Sequence, residues 1–164
     1  RPSILCGEKS LSNDVIYHSI KQITKNYKLS NFIIILLHVT SPLRTYRDIN
    51  SSFRLMKTKA SKGILTVKKV NSSLLKSVLI KKNKITSINE ERYLTSNDQF
   101  LPELYAPNGS IYIFQSKDFL INKSIPFKKM FPHVMRSEKS IDINTISDLN
   151  VARKLFNKQN LKFK

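Results

Sequence analysis

The stretch Thr40-Ser41-Pro42-Leu43-Arg44 places two hydroxyls, a rigid proline and one guanidinium directly behind the apolar run from Phe32 to Val39. Hydroxyls, backbone N–H groups and a fixed cation are the groups that hold a phosphate or a carboxylate. In parallel α/β sheets, ligands sit outside the carboxyl ends of the strands, so Thr40 and Ser41 are expected to face a crevice. Pro42 stiffens the exit. Arg44 either holds an anion or pairs with Asp48. The same five residues also describe a capped strand-to-helix turn with no ligand, and the stretch alone leaves both readings open.

The elements that must position these groups follow from periodicity. Ile16, Ile20, Ile23 and Tyr27 share one face of a helix that starts near Ser12 or Asn13. Phe32 to Val39 carries no alternation, which predicts a central strand buried on both faces. Thr45 with Asp48 predicts a second helix start. Ile49, Phe53, Met56 and Ala60 line that helix, and Gly63 is expected to close it. "GILTVKKV" reads as a further strand, "SVLIKKNKITSI" as a hairpin around Lys82-Asn83, and "NEERYLTSND" as a polar loop. Asn108-Gly109 alone is a hairpin-turn signal, and Ser110 to Phe114 a strand. "SIDINTISDLNVARKLF" predicts a short strand, then a helix begun by Thr145 and Asp148 and lined by Leu149, Ala152, Leu155 and Phe156. The helix–strand rhythm argues for a single α/β domain over 1–164.

Composition narrows the function classes. A hydrophobic share of 40% supports a core, and no apolar run approaches the ~20 residues that cross a bilayer. With no apolar block at its start, the chain is expected to be cytoplasmic and to have no membrane partner. The lone Cys6 has no metal-ligand neighbour and is expected to be a small buried apolar residue. A net charge of +18 invites a nucleic-acid reading, but 22 Lys stand against 7 Arg and are scattered through every segment. Readers of phosphate and bases favour Arg, so the composition disfavours nucleic acid as a partner.

Four stretches occur in order: "RPSILCGEKS", "LLHVTSPLRTYRDI", "LPELYAPNGSIYIF" and "SIDINTISDLNVA". Together they resemble the cytidylyltransferases that activate sialic acid and related nine-carbon keto acids, over nearly the whole chain. The resemblance implies a Rossmann-like nucleotide-diphospho-sugar transferase fold, a mostly parallel sheet with helices on both faces. It implies that a sugar hydroxyl attacks the α-phosphate of CTP, with Mg²⁺ held by two carboxylates. The product would be a CMP-sugar, a donor for surface glycans. By the same resemblance, Arg1, Ser12, Thr40 and Ser41 contact the nucleotide, and Arg44 and Asp142 are the catalytic candidates. Asp142 and Asn144 would hold the metal. His38, Gln99, Asn108 and Tyr112 would bind the sugar acid. Residues 71–107 would be an insertion that crosses to a homodimer partner and carries Lys76 into the partner's site. Taken alone, Lys76 is a solvated lysine and Tyr112 a core-facing strand aromatic.

The sequence departs from the family pattern at several points. The family's first strand and its Gly- and Arg-containing triphosphate loop have no counterpart in these residues, so exposed strand edges and apolar surface are expected. Asn144 replaces a carboxylate in the family's metal motif, which should weaken Mg²⁺ binding. Asp98 and Ala106 stand where the family has arginines, and His38 where it has glutamine. These changes favour a catalytically impaired or purely binding relative as the alternative.

Overall fold

The computed structural model describes residues 2–7 and 10–160, with side chains as far as residue 158. A short 3-10 turn, Ser3–Leu5, leads into helix α1, Ser12–Tyr27. Strand β1, Ile33–Leu36, is followed by helix α2, Tyr46–Thr58, and strand β2, Gly63–Val70. The excursion then carries the hairpin β3, Val78–Lys81, and β4, Lys84–Ser87, and a single helical turn α3, Arg92–Thr95. Strand β5, Leu104–Gln115, returns to the core. Helix α4, Ser116–Asn122, strand β6, Met130–Val134, and helix α5, Ile146–Asn160, are the last of the described elements.

The main sheet has the order β1-β5-β2-β6. Strands β2 and β6 are parallel, while β5 pairs antiparallel with both β1 and β2. The α/β class therefore holds, but the sheet is mixed: β1, β2 and β6 share one direction and β5 runs against them. The strand buried on both faces is β5. Its Ile111 and Ile113 pack with Met56, Ile64 and Met135 on the α2 side. Its Tyr112 and Phe114 pack with Ile16, Ile20 and Phe119 of α1 and α4 on the other. Helices thus cover both faces.

The apolar run at Phe32–Val39 behaves differently from expectation. Only its first half is strand, and β1 lies at an edge, with Ile33 43% and Ile35 44% exposed. Continuous apolarity marks burial on two faces only when both neighbouring strands are present; among the described residues β1 has one. Pro132 lies in β6, the opposite edge, where a missing N–H disturbs no second ladder.

Several local expectations are corrected by backbone geometry. Gly63 does not end α2. Ala60 does, in a left-handed conformation (φ 46°), with its N–H donating to Lys57 O and the Ser61 N–H to Met56 O. Gly63 instead begins β2, where a Cβ would stand 2.5 Å from Ile113 O. Leu11, not Ser12 or Asn13, occupies the N-cap of α1. Asn108-Gly109 is no hairpin turn; it lies inside β5, where the register against β2 slips between Leu65 and Val67. The expected strand before α5 lies outside any ladder and is joined to the fold by Ile143 N–H donating to Thr40 O at 2.8 Å. Cys6 is exposed. The hairpin around Lys82-Asn83 is present, with both turn residues at positive φ (49° and 58°), the geometry that matches strand twist in a two-residue turn.

Candidate functional site

The strand-end loop is built first by its own backbone. Ser41 N–H donates to His38 O at 3.3 Å, closing a turn after β1. One nitrogen of the Arg44 guanidinium then donates to His38 O at 2.6 Å and Ser41 O at 2.7 Å. Arg44 therefore braces the loop from within. It does not pair with Asp48, whose two oxygens take Lys139 Nζ at 2.8 and 2.9 Å. Burial pushes the Asp48 pKa up, but hydrogen bonds from Lys139 and Thr45, with the Lys139 charge, outweigh it and hold the carboxyl below its usual range. That ion pair fastens the start of α2 to the segment leading to Asp142.

Gly109 is the point on which separate stretches converge. Its φ is +72°, open to glycine and strained for other residues. A Cβ there would lie 3.0 Å from Ser41 Oγ, 3.5 Å from His38 Nδ1 and 3.7 Å from Asp142 Oδ1. The His38 ring stacks on Tyr112 with centroids 5.2 Å apart. Burial, followed by the nearby Asp142 charge, raises the Tyr112 pKa. His38, Ser41, Tyr112 and Asp142 thus meet around one backbone position. Thr40 joins them through the bond from Ile143, and Asn144 through Nδ2, which donates to Asp142 Oδ2 at 3.2 Å.

Not every candidate faces outward. The Ser41 hydroxyl, expected to face a crevice, is fully buried and donates to Asn108 O at 3.2 Å. Asn108 is 2% exposed, and both lone pairs of its Oδ1 are used, by Thr66 Oγ1 and Ser110 N–H. Lys76 pairs with Asp98 at 2.7 Å, beside the exposed Gln99 on the excursion. Among the described residues Lys76, Gln99 and Ser12 make no hydrogen bond or ion pair to the Gly109 cluster, and Arg1 lies outside the described residues. Thr66 and Ser140, both fully buried polar residues within the cluster's support, were not singled out by sequence. The signal for Thr66 was a hydroxyl inside the otherwise apolar start of "GILTVKKV".

The donor set can be tested against a divalent cation. Asp142 Oδ1 is buried and has no hydrogen-bond partner. A carboxylate oxygen left so is costly unless a cation or donor reaches it. Among the described residues no group of three or more His, Cys, Asp or Glu could hold a metal by itself. The unmet Asp142 carboxylate oxygen thus suits a cation that takes most of its oxygens from phosphates and water, whereas the Asn144 amide faces Asp142 Oδ2 with its Nδ2, a donor, and not with its oxygen. Among the same residues no helix is long and apolar enough to cross a membrane.

No family model matches the chain. Over 150 residues it is 26% identical to the N-acylneuraminate cytidylyltransferases of Streptococcus agalactiae serotypes III, Ia and V. The match covers 89% of this chain and 36% of those relatives. The chain thus spans about a third of the length of the curated relatives it matches, and its relationship to N-acylneuraminate cytidylyltransferases is a distant one.

Proposed function

We propose that this chain carries the sugar-side half of a CMP-sugar synthetase site. The reaction joins the hydroxyl oxygen of a nine-carbon keto-sugar acid to the α-phosphorus of CTP. The bond from that phosphorus to its bridging oxygen breaks, and pyrophosphate leaves. The hydroxyl proton passes to solvent or to a neighbouring base. The observation that carries this reading is the meeting of His38, Ser41, Tyr112 and Asp142 at Gly109. Residues from three of the four stretches that resemble the family contribute to it. His38 and Tyr112 offer a stacked wall for the sugar acid. The braced loop at Thr40–Arg44 offers backbone N–H groups and the remaining Arg44 donors to anionic oxygens. Mg²⁺ held by Asp142 would neutralise phosphate charge.

The excursion 71–107 suits a homodimer. Among the described residues strands β3 and β4 pair only with each other, and a two-stranded sheet alone is marginal in water. Val78, Ile80 and Ile85 share one face of it, at 38%, 76% and 71% exposure. A second copy supplies a surface for that face.

The test is pyrophosphate release from CTP, Mg²⁺ and a panel of nine-carbon keto acids, with and without a separately supplied N-terminal segment of a relative. Turnover that Asp142→Asn abolishes supports the reading; none under any condition removes it. A second reading, a relative that binds CTP without turning it over, is favoured by the Asn144 amide donating to Asp142 where the family has a second carboxylate. Calorimetric Mg²⁺–CTP binding without pyrophosphate selects it. Under either reading Asn144→Asp tightens that binding.

A further inference from the structure

Lysines that are scattered along the sequence gather in space. Strands β1, β2 and β6 run in one direction, and β5 ends where they begin. The register sets Ile33 against Gln115, and Gly63 against both Phe114 and Met130. The passages 28–33, 59–63, 115–117 and 128–130 therefore arrive at one end of the sheet. They bring Lys28, Lys59, Lys62, Lys117, Lys128 and Lys129, all exposed. Contacts tie these passages together. Lys117 N–H donates to Asn31 Oδ1 at 3.4 Å, Ser61 Oγ donates to Lys129 O at 3.5 Å, and Lys59 Nζ stands 5.6 Å from the centre of the Phe131 ring.

The charge at this end is one-sided. Across 25–33, 54–63 and 115–131 the only acid in the sequence is Asp118. It is 5% exposed and committed to Lys129 Nζ at 2.7 Å. Among the described residues Lys28, Lys59, Lys62, Lys117 and Lys128 take part in no ion pair. Asp48 and Asp148 belong to the opposite end, where α2 and α5 begin. Like charges crowded without carboxylates repel one another, and an anionic surface relieves that repulsion.

The side chains say which kind of surface. Rigid phosphate and base recognition favours the Arg fork, whereas a lysine is a point charge on a flexible stem. Such charges suit a fluid surface whose headgroups move to meet them. Apolar side chains stand among them. Ile121 and Phe127 are 66% and 53% exposed, and they share the wall of an open cavity of about 400 Å³ with Lys128 and Lys129. Ammonium groups beside exposed aliphatic and aromatic side chains match the layering of a membrane interface. A nucleic-acid duplex would meet the same charges but offer Ile121 nothing apolar.

We propose that this end of the sheet docks on an anionic lipid surface, with the lysines at headgroup level and Ile121 and Phe127 in the interface. The expectation of no membrane partner rests on the lack of an apolar span, and a surface contact needs none. The proposal is independent of the cytidylyltransferase reading, because the loop at Thr40–Arg44 lies beyond the other end of β1.

The experiment is co-sedimentation of the full chain with phosphatidylcholine vesicles, with and without phosphatidylglycerol. Binding is expected only with the anionic lipid, and it should weaken as salt is added. Each lysine at such a surface is worth about 5-fold in affinity. The Lys62→Gln/Lys117→Gln/Lys128→Gln variant should therefore bind about 100-fold more weakly. A matched control, Lys81→Gln/Lys82→Gln/Lys84→Gln on the β3–β4 hairpin, loses the same net charge and should lose less than about 5-fold. Phe127→Ala should also bind more weakly, and circular dichroism checks that each variant is folded. Wild-type protein that ignores phosphatidylglycerol, equal losses in the two triple variants, or Phe127→Ala binding as wild type does, overturns the proposal. Tighter binding to duplex RNA, lost in the first triple variant, overturns it in favour of nucleic acid.

Discussion

Replacing Gly109 by alanine tests the geometry of the whole cluster. Moving a non-glycine residue into a left-handed conformation costs about 1–2 kcal/mol. The new methyl meets Ser41 Oγ at 3.0 Å, tighter than ordinary van der Waals contact. Ser41 cannot easily yield, because it is fully buried and its hydroxyl is committed to Asn108 O. If it moves, that hydrogen bond is lost, for about another 1 kcal/mol. The sum, about 2–3 kcal/mol, leaves a domain of ordinary stability folded. For a chain of this size it lowers the melting temperature by about 4–12 °C. Thermal unfolding followed by circular dichroism reads the shift. The Ser41→Ala/Gly109→Ala double variant should cost less than the sum of the singles, since one change removes the atom the other collides with. A Gly109→Ala protein that melts like wild type, or strict additivity in the double, would refute both the left-handed turn and the convergence of Ser41 upon it.

Other consequences are open to direct measurement. Ala60→Gly relieves a left-handed C-terminal residue of α2 and should stabilise by about 0.5–1 kcal/mol, raising the urea midpoint. Lys139→Met leaves the Asp48 carboxylate half-buried and unpaired; about 1–2 kcal/mol should be lost at neutral pH, less than for a fully buried pair because both partners keep some solvent. Asp48 keeps a depressed pKa when folded, so its contribution is complete above its ordinary value near 4 and fades as pH falls below it; Asp48→Asn should flatten that acid limb. His133, whose Nδ1 lies 2.7 Å from Ser52 Oγ, is lowered by burial, with Asp48 pulling the other way. Its neutral form is favoured in the folded state, so stability should decline as pH drops below about 6.5, and His133→Gln should remove that slope in denaturant titrations.

Much of the architecture is readable from periodicity, and the reasons for the exceptions are physical. The faces of α1 and α2 follow their i, i+4 spacing at Ile16, Ile20, Ile49, Phe53 and Met56, because each helix has one sheet to cover; Tyr27, 71% exposed at the end of α1, and Ala60, exposed beyond the end of α2, fall outside those faces. The run at Phe32–Val39 misleads because a sequence window reports apolarity but not how many neighbours a strand finds. Gly63 and Ala60 exchange roles because close approach of a strand and a left-handed cap both suit glycine, and only coordinates show which need is met. Asn108-Gly109 carries a genuine turn signal: the backbone does turn left-handed there, but within a strand. At the site, the residues named from motif resemblance fall into two groups. His38, Ser41, Tyr112 and Asp142 meet; among the described residues Ser12, Lys76 and Gln99 share no hydrogen bond or ion pair with them. Of the support from Thr66 and Ser140, only the odd hydroxyl of Thr66 in an apolar run left a trace in the sequence, because a buried hydroxyl gains its meaning from partners far away in the chain.

The edge at β1 has a colloidal consequence. Ile33 to Leu36 form an uninterrupted aliphatic ribbon with no charged residue to discourage a neighbouring molecule, the usual safeguard on such a border. What keeps two molecules apart is instead the mutual repulsion of a net charge of +18. Ions weaken that repulsion, with a screening length shrinking from about 10 Å in 0.1 M salt to about 3 Å at 1 M. Concentrated salt is therefore expected to promote association through this edge, and dilute buffer to oppose it.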